Sequence, residues 1–418
     1  MKREIWLDYL RVTACFMVMV VHGTEPFYIC EEGARMATAT DAFWVSAFEA
    51  LCRCCVPLFV VASSYLQFPL HYSTGEFFRR RAVRVLVPMA IWTLVYALWW
   101  GEPVDNLKGL LLNFNYAAGH LWFVYMLIGL YLVMPLLSPW AEKVSRRELE
   151  VYLGIWLFTT LIPFIREWAG GEAPLIQAAD GLPAQALFPL WGEAAWNPFG
   201  LFYYVSGFVG YLLVGLYLRR FLSNNRWTRF LGWSMFLIGF LALFSSVLGH
   251  ISQAGDAFPL TGPLATAVFW ENPLAFCGLP VVLTTVGLTL AFRARFAPAT
   301  PGSPSVIPSS PSVIPSSPSV IPSSPSVIPS EAEGSPLYRH FILPLSKAGY
   351  GMYLMHMLVL APFSALYCGW LGVGPDGLLG AWTTPVEVLA TALSAFVVVG
   401  LVSVLLQRIP RVGKWLVG

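Results

Sequence analysis

Arg11 and His22 stand eleven positions apart in a stretch, 5–29, that is otherwise almost pure hydrocarbon. At about 100° per residue, eleven steps return to within roughly 20° of the start, so a helix presents both on one face. A rise of about 1.5 Å per residue sets them roughly 16 Å apart along the axis. A guanidinium and an imidazole are costly in lipid and usually mark a polar path or a reacting centre. The pair points to chemistry that connects the two sides of a membrane. Taken singly, Arg11 could snorkel to the inner interface and His22 could cap the outer end; together on one face they favour function. Asp8, Arg11, Cys15, Val18 and His22 form one stripe by three- and four-residue steps, and Asp8 is placed to neutralise Arg11.

Other polar residues sit in apolar surroundings. Glu49 and Arg53 are an i, i+4 couple, best read as an internal ion pair. His120, Glu271 and His356 fall at a similar depth on the outer side, where they could share a polar cavity or each hydrogen-bond a neighbouring helix. His71, His250 and His340 lie in loops or at span ends and receive no role. The run Arg79, Arg80, Arg81 and Arg84 marks where a loop meets the third apolar stretch. It orients the chain in the membrane, and its forked guanidiniums also match phosphate oxygens, of a cytoplasmic phosphorylated donor or of anionic lipid headgroups.

The elements that position these groups are membrane helices. The 418-residue chain is 57% hydrophobic and only 11% charged, far below the roughly 25% charge usual in soluble domains. Its 17 Trp gather near the ends of apolar stretches, as an aromatic belt at the headgroups requires. The fold class expected is all-α, a polytopic bundle of about ten spans. They are placed at 5–29, 42–68, 83–100, 120–138, 149–165, 199–218, 230–249, 264–292, 345–368 and 385–406. With that count the basic clusters fall on one side: Lys2-Arg3, the Arg79–Arg84 run, Lys143 with Arg146 and Arg147, Arg219 to Arg229, Arg293 with Arg295, and Arg408 to Lys414. The opposite loops are acidic on balance, so both termini are expected in the cytoplasm. The start, Met1-Lys2-Arg3 before a long apolar run, reads as a retained anchor rather than a cleaved signal.

Residues 302–330 repeat Ser-Pro-Ser-Val-Ile-Pro-Ser with a seven-residue period. Proline at that density blocks helix and central strand, so 299–338 reads as a disordered, partly polyproline cytoplasmic linker. It divides spans 1–8 (1–298) from spans 9 and 10 (339–418) of one domain. The seven cysteines lack disulfide or metal spacing; Cys52 and Cys55 form a CxxC inside a span and read as packing. No metal and no bound cofactor are expected.

Arg11-x10-His22, followed by Arg80-Arg81-x-x-Arg84, resembles the membrane acyltransferase-3 family. Asp8-Tyr9-Leu10-Arg11, Val56-Pro57-Leu58-Phe59, His120-Leu121-Trp122-Phe123 and Tyr350 to His356 are similar to that family's motifs, in order and over nearly the whole chain. The second-span motif usually continues Ser-Gly, where this chain reads Ser63-Ser64-Tyr65, a departure that touches helix packing. The resemblance implies a multi-pass protein of the bacterial inner membrane that uses cytoplasmic acyl-CoA, commonly acetyl-CoA, to modify hydroxyls of cell-envelope glycans or similar acceptors at the outer face. On that carry-over Arg80, Arg81 and Arg84 hold coenzyme phosphates and Arg11 lies further along the path. His22 then acts as general base on the acceptor or as a transient acyl carrier. His120, Glu271 and His356 would line the acceptor cavity. The partners expected are acyl-CoA, an extracytoplasmic acceptor and the lipid bilayer, without nucleic acid. No further domain is expected after the last span, so transfer is completed by the membrane part alone or with a separate transferase.

The rival reading is a glycan or small-molecule exporter of the same family, which also needs intramembrane His, Arg and Glu along a path. The chain lacks the internal repeat common in transporters. Dependence on acyl-CoA separates the two readings.

Overall fold

The computed structural model describes residues 3–29, 36–114, 117–162, 164–165, 199–252, 258, 272–297, 335–410 and 412–418. Among them every regular element is helical and none is a strand. The principal helices are α1 (Ile5–Thr24), α2 (Ala39–Cys52), α3 (Cys55–Gln67), α4 (Thr74–Arg81), α5 (Val87–Trp99) and α6 (Trp122–Lys143). They continue with α7 (Arg146–Thr159), α8 (Val209–Arg220), α9 (Arg226–Ile251), α10 (Leu279–Phe296), α11 (Leu343–Leu371), α12 (Thr383–Gln407) and the short α13 (Gly413–Val417).

Eight helical stretches among the described residues are long and apolar enough to cross a membrane: Ile5–Phe27, Ala39–Gln67, Thr74–Trp99, Gly119–Lys143, Arg226–Ile251, Leu279–Phe296, Tyr338–Leu371 and Gly380–Gln407. The chain is therefore an all-α polytopic bundle. The regions expected as fifth and sixth spans hold shorter helices, α7 with 14 residues and α8 with 12. At about 1.5 Å per residue neither covers a hydrocarbon core of roughly 30 Å. The expected eighth span begins in residues outside the described set, and its described helix starts only at Leu279. The repeat at 302–330 and Glu271 also lie outside the described residues.

α1 runs through the middle of the bundle, packed by α12, α11, α3, α2 and α10. Cys15 on α1 reaches the Gly349 carbonyl of α11 at 3.7 Å, a close approach that a side chain at 349 would obstruct. Gly232 and Gly239 on α9 meet the backbone of Gly287, Ala291, Pro280 and Thr284 on α10. Small residues at such crossings let membrane helices approach where no hydrophobic force drives them together. Helical regularity is interrupted beside residues that line the cavities described below. Pro57 cannot donate to the carbonyl of residue 53, so the second span breaks into α2 and α3 at Arg53–Cys54. Between α4 and α5 a π-turn, Ala82–Leu86, carries Arg84; such wide turns are frequent at functional sites.

Candidate active site

Arg11 projects from α1 into a cavity of about 240 Å³. Arg81, Arg84 and Lys347 also line it, with Gln67, Ser63, Ser346, Tyr131 and Tyr350 as neutral polar neighbours. Four cations share this wall and no Asp or Glu among the described residues lines it. The Arg81 guanidinium is held by Gln67 and stands over the Tyr131 ring, 5.1 Å from its centroid. Tyr350 donates to the Val85 carbonyl at 2.8 Å and so ties α11 to the π-turn beside Arg84. Arg11 makes no hydrogen bond or ion pair with the described residues, leaving its guanidinium to the cavity.

Asp8 makes no direct ion pair with Arg11; its direct partners are other groups. It accepts two hydrogen bonds from Arg3, at 2.7 and 2.8 Å, and one each from Tyr338 (2.7 Å) and Ser346 (2.6 Å). A carboxylate with four donors has no remaining need of Arg11, one turn further along the helix. Arg80 likewise stands apart from Arg81 and Arg84. It binds Glu76 at 2.6 Å, covers the Tyr72 ring and does not line the cavity. Neighbouring residues on a helix differ by about 100° in direction, so Arg80 and Arg81 look into different surroundings.

His22 lies at the other end of α1, in a cavity of about 110 Å³. Its Nδ1 is 2.7 Å from Glu25 Oε1, an ion-pair approach rather than an in-line hydrogen bond. With Nδ1 turned to Glu25, Nε2 is the ring nitrogen left for the cavity. The His356 ring lies 4.7 Å from the His22 ring, and the His120 ring 5.2 Å from that of His356. His356 Nδ1 is 2.5 Å from the Tyr353 carbonyl, to which it donates. Its Nε2 and that of His120 are buried without a hydrogen-bond partner among the described residues. Tyr353 donates to the His120 carbonyl at 2.5 Å and Tyr96 to the Leu354 carbonyl at 2.9 Å, which locks the His120 turn and α5 onto α11. His22, His120 and His356, far apart in sequence, are thus brought together.

Arg53 lines this second cavity as well. Its Nη1 is 3.3 Å from Glu49, the internal ion pair expected from the i, i+4 spacing, and its Nε donates to the Leu274 carbonyl at 3.0 Å. The two cavities adjoin, because Phe123 and Tyr353 line both. A third, of about 380 Å³, shares His22, Glu25, His120 and Trp122 with the second and is also walled by Trp100 and Met357. No group of three or more His, Cys, Asp or Glu among the described residues is arranged to hold a metal ion. Sequence reasoning missed Glu25, Lys347 and Tyr353. Glu25, three residues after His22, carried a usable signal; nothing local distinguishes Lys347 from an interfacial lysine.

These residues define an all-α membrane bundle in which a cation-lined cavity adjoins a histidine-lined one. The sequence profile of the acyltransferase-3 family, described as an acyltransferase domain, matches residues 4–404, and the chain belongs to that family. It is a multi-pass membrane acyltransferase. No curated protein and no solved structure matches the chain.

Proposed function

We propose that this acyltransferase moves an acyl group, acetyl in the simplest case, from acyl-CoA to a hydroxyl of an extracytoplasmic acceptor such as a cell-envelope glycan. The Arg11 end would face the cytoplasm of a bacterial inner membrane, as the basic clusters expect for both termini. The observation that carries the reading is the shared wall of Phe123 and Tyr353 between a cavity with four cations and one lined by His22 and His120, with the buried His356 ring packed against both imidazoles. Arg11, Arg81, Arg84 and Lys347 suit the phosphates and thioester end of a coenzyme donor, since guanidiniums bind phosphate oxygens in a forked geometry. The position of Arg80 supports a role at the surface rather than on the donor.

His22 is the reacting base in this proposal. Its Nε2 takes the proton of the acceptor hydroxyl as the oxygen attacks the thioester carbonyl carbon. The tetrahedral intermediate then expels the coenzyme thiolate, which recovers the proton. Glu25, its carboxylate 2.7 Å from Nδ1, would stabilise the imidazolium that forms. His120, whose Nε2 has no hydrogen-bond partner among the described residues, offers a hydrogen-bond site for an acceptor hydroxyl, with the buried His356 ring packed against it.

The test is transfer of labelled acetyl from acetyl-CoA in membrane vesicles carrying wild type or His22→Ala, with native envelope glycans as acceptors. Incorporation by wild type that is lost in the variant at equal protein level is expected. No coenzyme-dependent incorporation by wild type, with the acceptor present, would favour the exporter.

A further inference from the structure

Arg53 is a charged side chain in the wall of the His22 cavity, 5% exposed, and general-base catalysis by His22 does not by itself use it. It is fixed from three sides. Nη1 meets Glu49, Nε binds the Leu274 carbonyl, and the guanidinium lies over the Phe276 ring, 4.4 Å from its centroid. Glu49 is itself pinned by the outer turn of the His22 helix. Thr24 donates to it at 2.5 Å and Tyr28 at 3.2 Å. The helix break that Pro57 imposes falls at Arg53, so the guanidinium stands where the second span opens beside the cavity. A buried ion pair of this kind is a weak source of stability, because taking both charges out of water offsets their attraction. What it does supply is a cation of fixed position in the cavity shared with the reacting base.

We propose that Arg53 is a further catalytic residue, the oxyanion-stabilising group of the transfer; this rests on the acyl-transfer reading. When the hydroxyl oxygen bonds to the thioester carbon, the carbonyl π pair moves onto the carbonyl oxygen. His22 holds the hydroxyl proton at that moment, so the cavity carries a new negative charge on that oxygen. The Arg53 guanidinium receives it as a charge-assisted hydrogen bond. The pair returns to re-form C=O as the C–S bond breaks and the coenzyme leaves as thiolate. A preorganised donor aimed at a developing oxyanion contributes on the order of 10²–10³ in turnover.

The experiment measures kcat and KM for labelled acetyl-CoA in native-membrane vesicles, with envelope glycans as acceptors, for wild type, Glu49→Gln and the double variant Glu49→Gln/Arg53→Gln. The double variant removes both charges together and keeps amides able to reach Leu274, Thr24 and Tyr28, so no lone charge is left buried. Expected is a kcat on the order of 100-fold lower in the double variant, with KM within about threefold and a melting temperature near wild type. Glu49→Gln alone, which keeps the guanidinium, should stay within about tenfold of wild type. Equal losses in the single and double variants, or a double variant with near-normal kcat, would overturn the role of Arg53 while leaving acyl transfer intact. Absence of transfer by wild type removes the acyl-transfer reading and this inference with it. Should the double variant fail to insert, Arg53→Lys decides: a point charge without the Leu274 anchor should lower kcat about tenfold at unchanged KM, and wild-type turnover would overturn the proposal.

Discussion

The His22 and His356 rings lie 4.7 Å apart, one carried by α1 and the other by α11, more than three hundred residues later. They are not equivalent. His356 spends Nδ1 on the carbonyl of Tyr353, one turn back on its own helix, so its Nε2 is a fixed acceptor. His22 directs Nδ1 at a carboxylate, Glu25, the arrangement that suits a base which must become positively charged and be held in place. On the proposed reading, their partners make His22 the reacting ring and leave His356 a buried neighbour that packs against it.

His22→Ala should abolish acyl transfer, with a loss of at least about 10²–10⁴-fold if the imidazole acts as general base. Insertion and protein level should be unchanged, since the ring borders cavities rather than filling the core. Transfer surviving the substitution would remove His22 from the reaction and leave the family membership untouched.

Glu25→Gln tests the division of labour. The amide preserves volume but withdraws the charge that faces the imidazolium, so kcat should fall roughly 10- to 100-fold, a part of the general-base contribution. KM for acetyl-CoA should hold, because Glu25 does not line the Arg11 cavity. A change confined to KM would show that Glu25 acts on the donor instead.

Arg81 and Arg80 make a matched pair of controls, adjacent in sequence but facing different surroundings. Arg81→Ala should raise the KM for acetyl-CoA about tenfold or more, the worth of one or two charge-assisted hydrogen bonds. Arg80→Ala should change it less than about threefold, since what it loses, a surface pair with Glu76 and the cover over the Tyr72 ring, lies outside the cavity, and such pairs are worth little. Equal effects at the two positions would mean that the cluster acts as a diffuse field and not through the cavity wall.

The long spans and the Arg11–His22 relationship were legible because a bilayer imposes a length and a helix imposes a period, and both are local rules. Partners were not legible in the same way. Asp8 lies three residues from Arg11, yet it is taken by Arg3, Tyr338 and Ser346, two of which arrive from the far end of the chain. Arg80 matched a motif by letter, but the π-turn and helical rotation decide which arginines reach the cavity. The motifs could rank His120 and His356 as candidates; that their rings would gather into one cluster with His22 depends on α11 packing against α1.

Asp8 offers the last prediction, in which stability and donor binding are linked. Its carboxylate is buried, and it joins the segment before α1 to the first turns of the α11 stretch through Arg3, Tyr338 and Ser346. Asp8→Ala leaves these donors without their acceptor at a cost of about 1–3 kcal/mol. The melting temperature in detergent should fall, and less so for Asp8→Asn, which keeps one acceptor oxygen. Ser346 and Lys347 line the Arg11 cavity side by side, so if that cavity holds the donor as proposed, loosening this anchor should also raise the KM for acetyl-CoA while kcat is preserved. A lower melting temperature with unchanged KM would separate the two effects and make Asp8 purely a structural tie. An unchanged melting temperature would contradict the hydrogen-bond network itself.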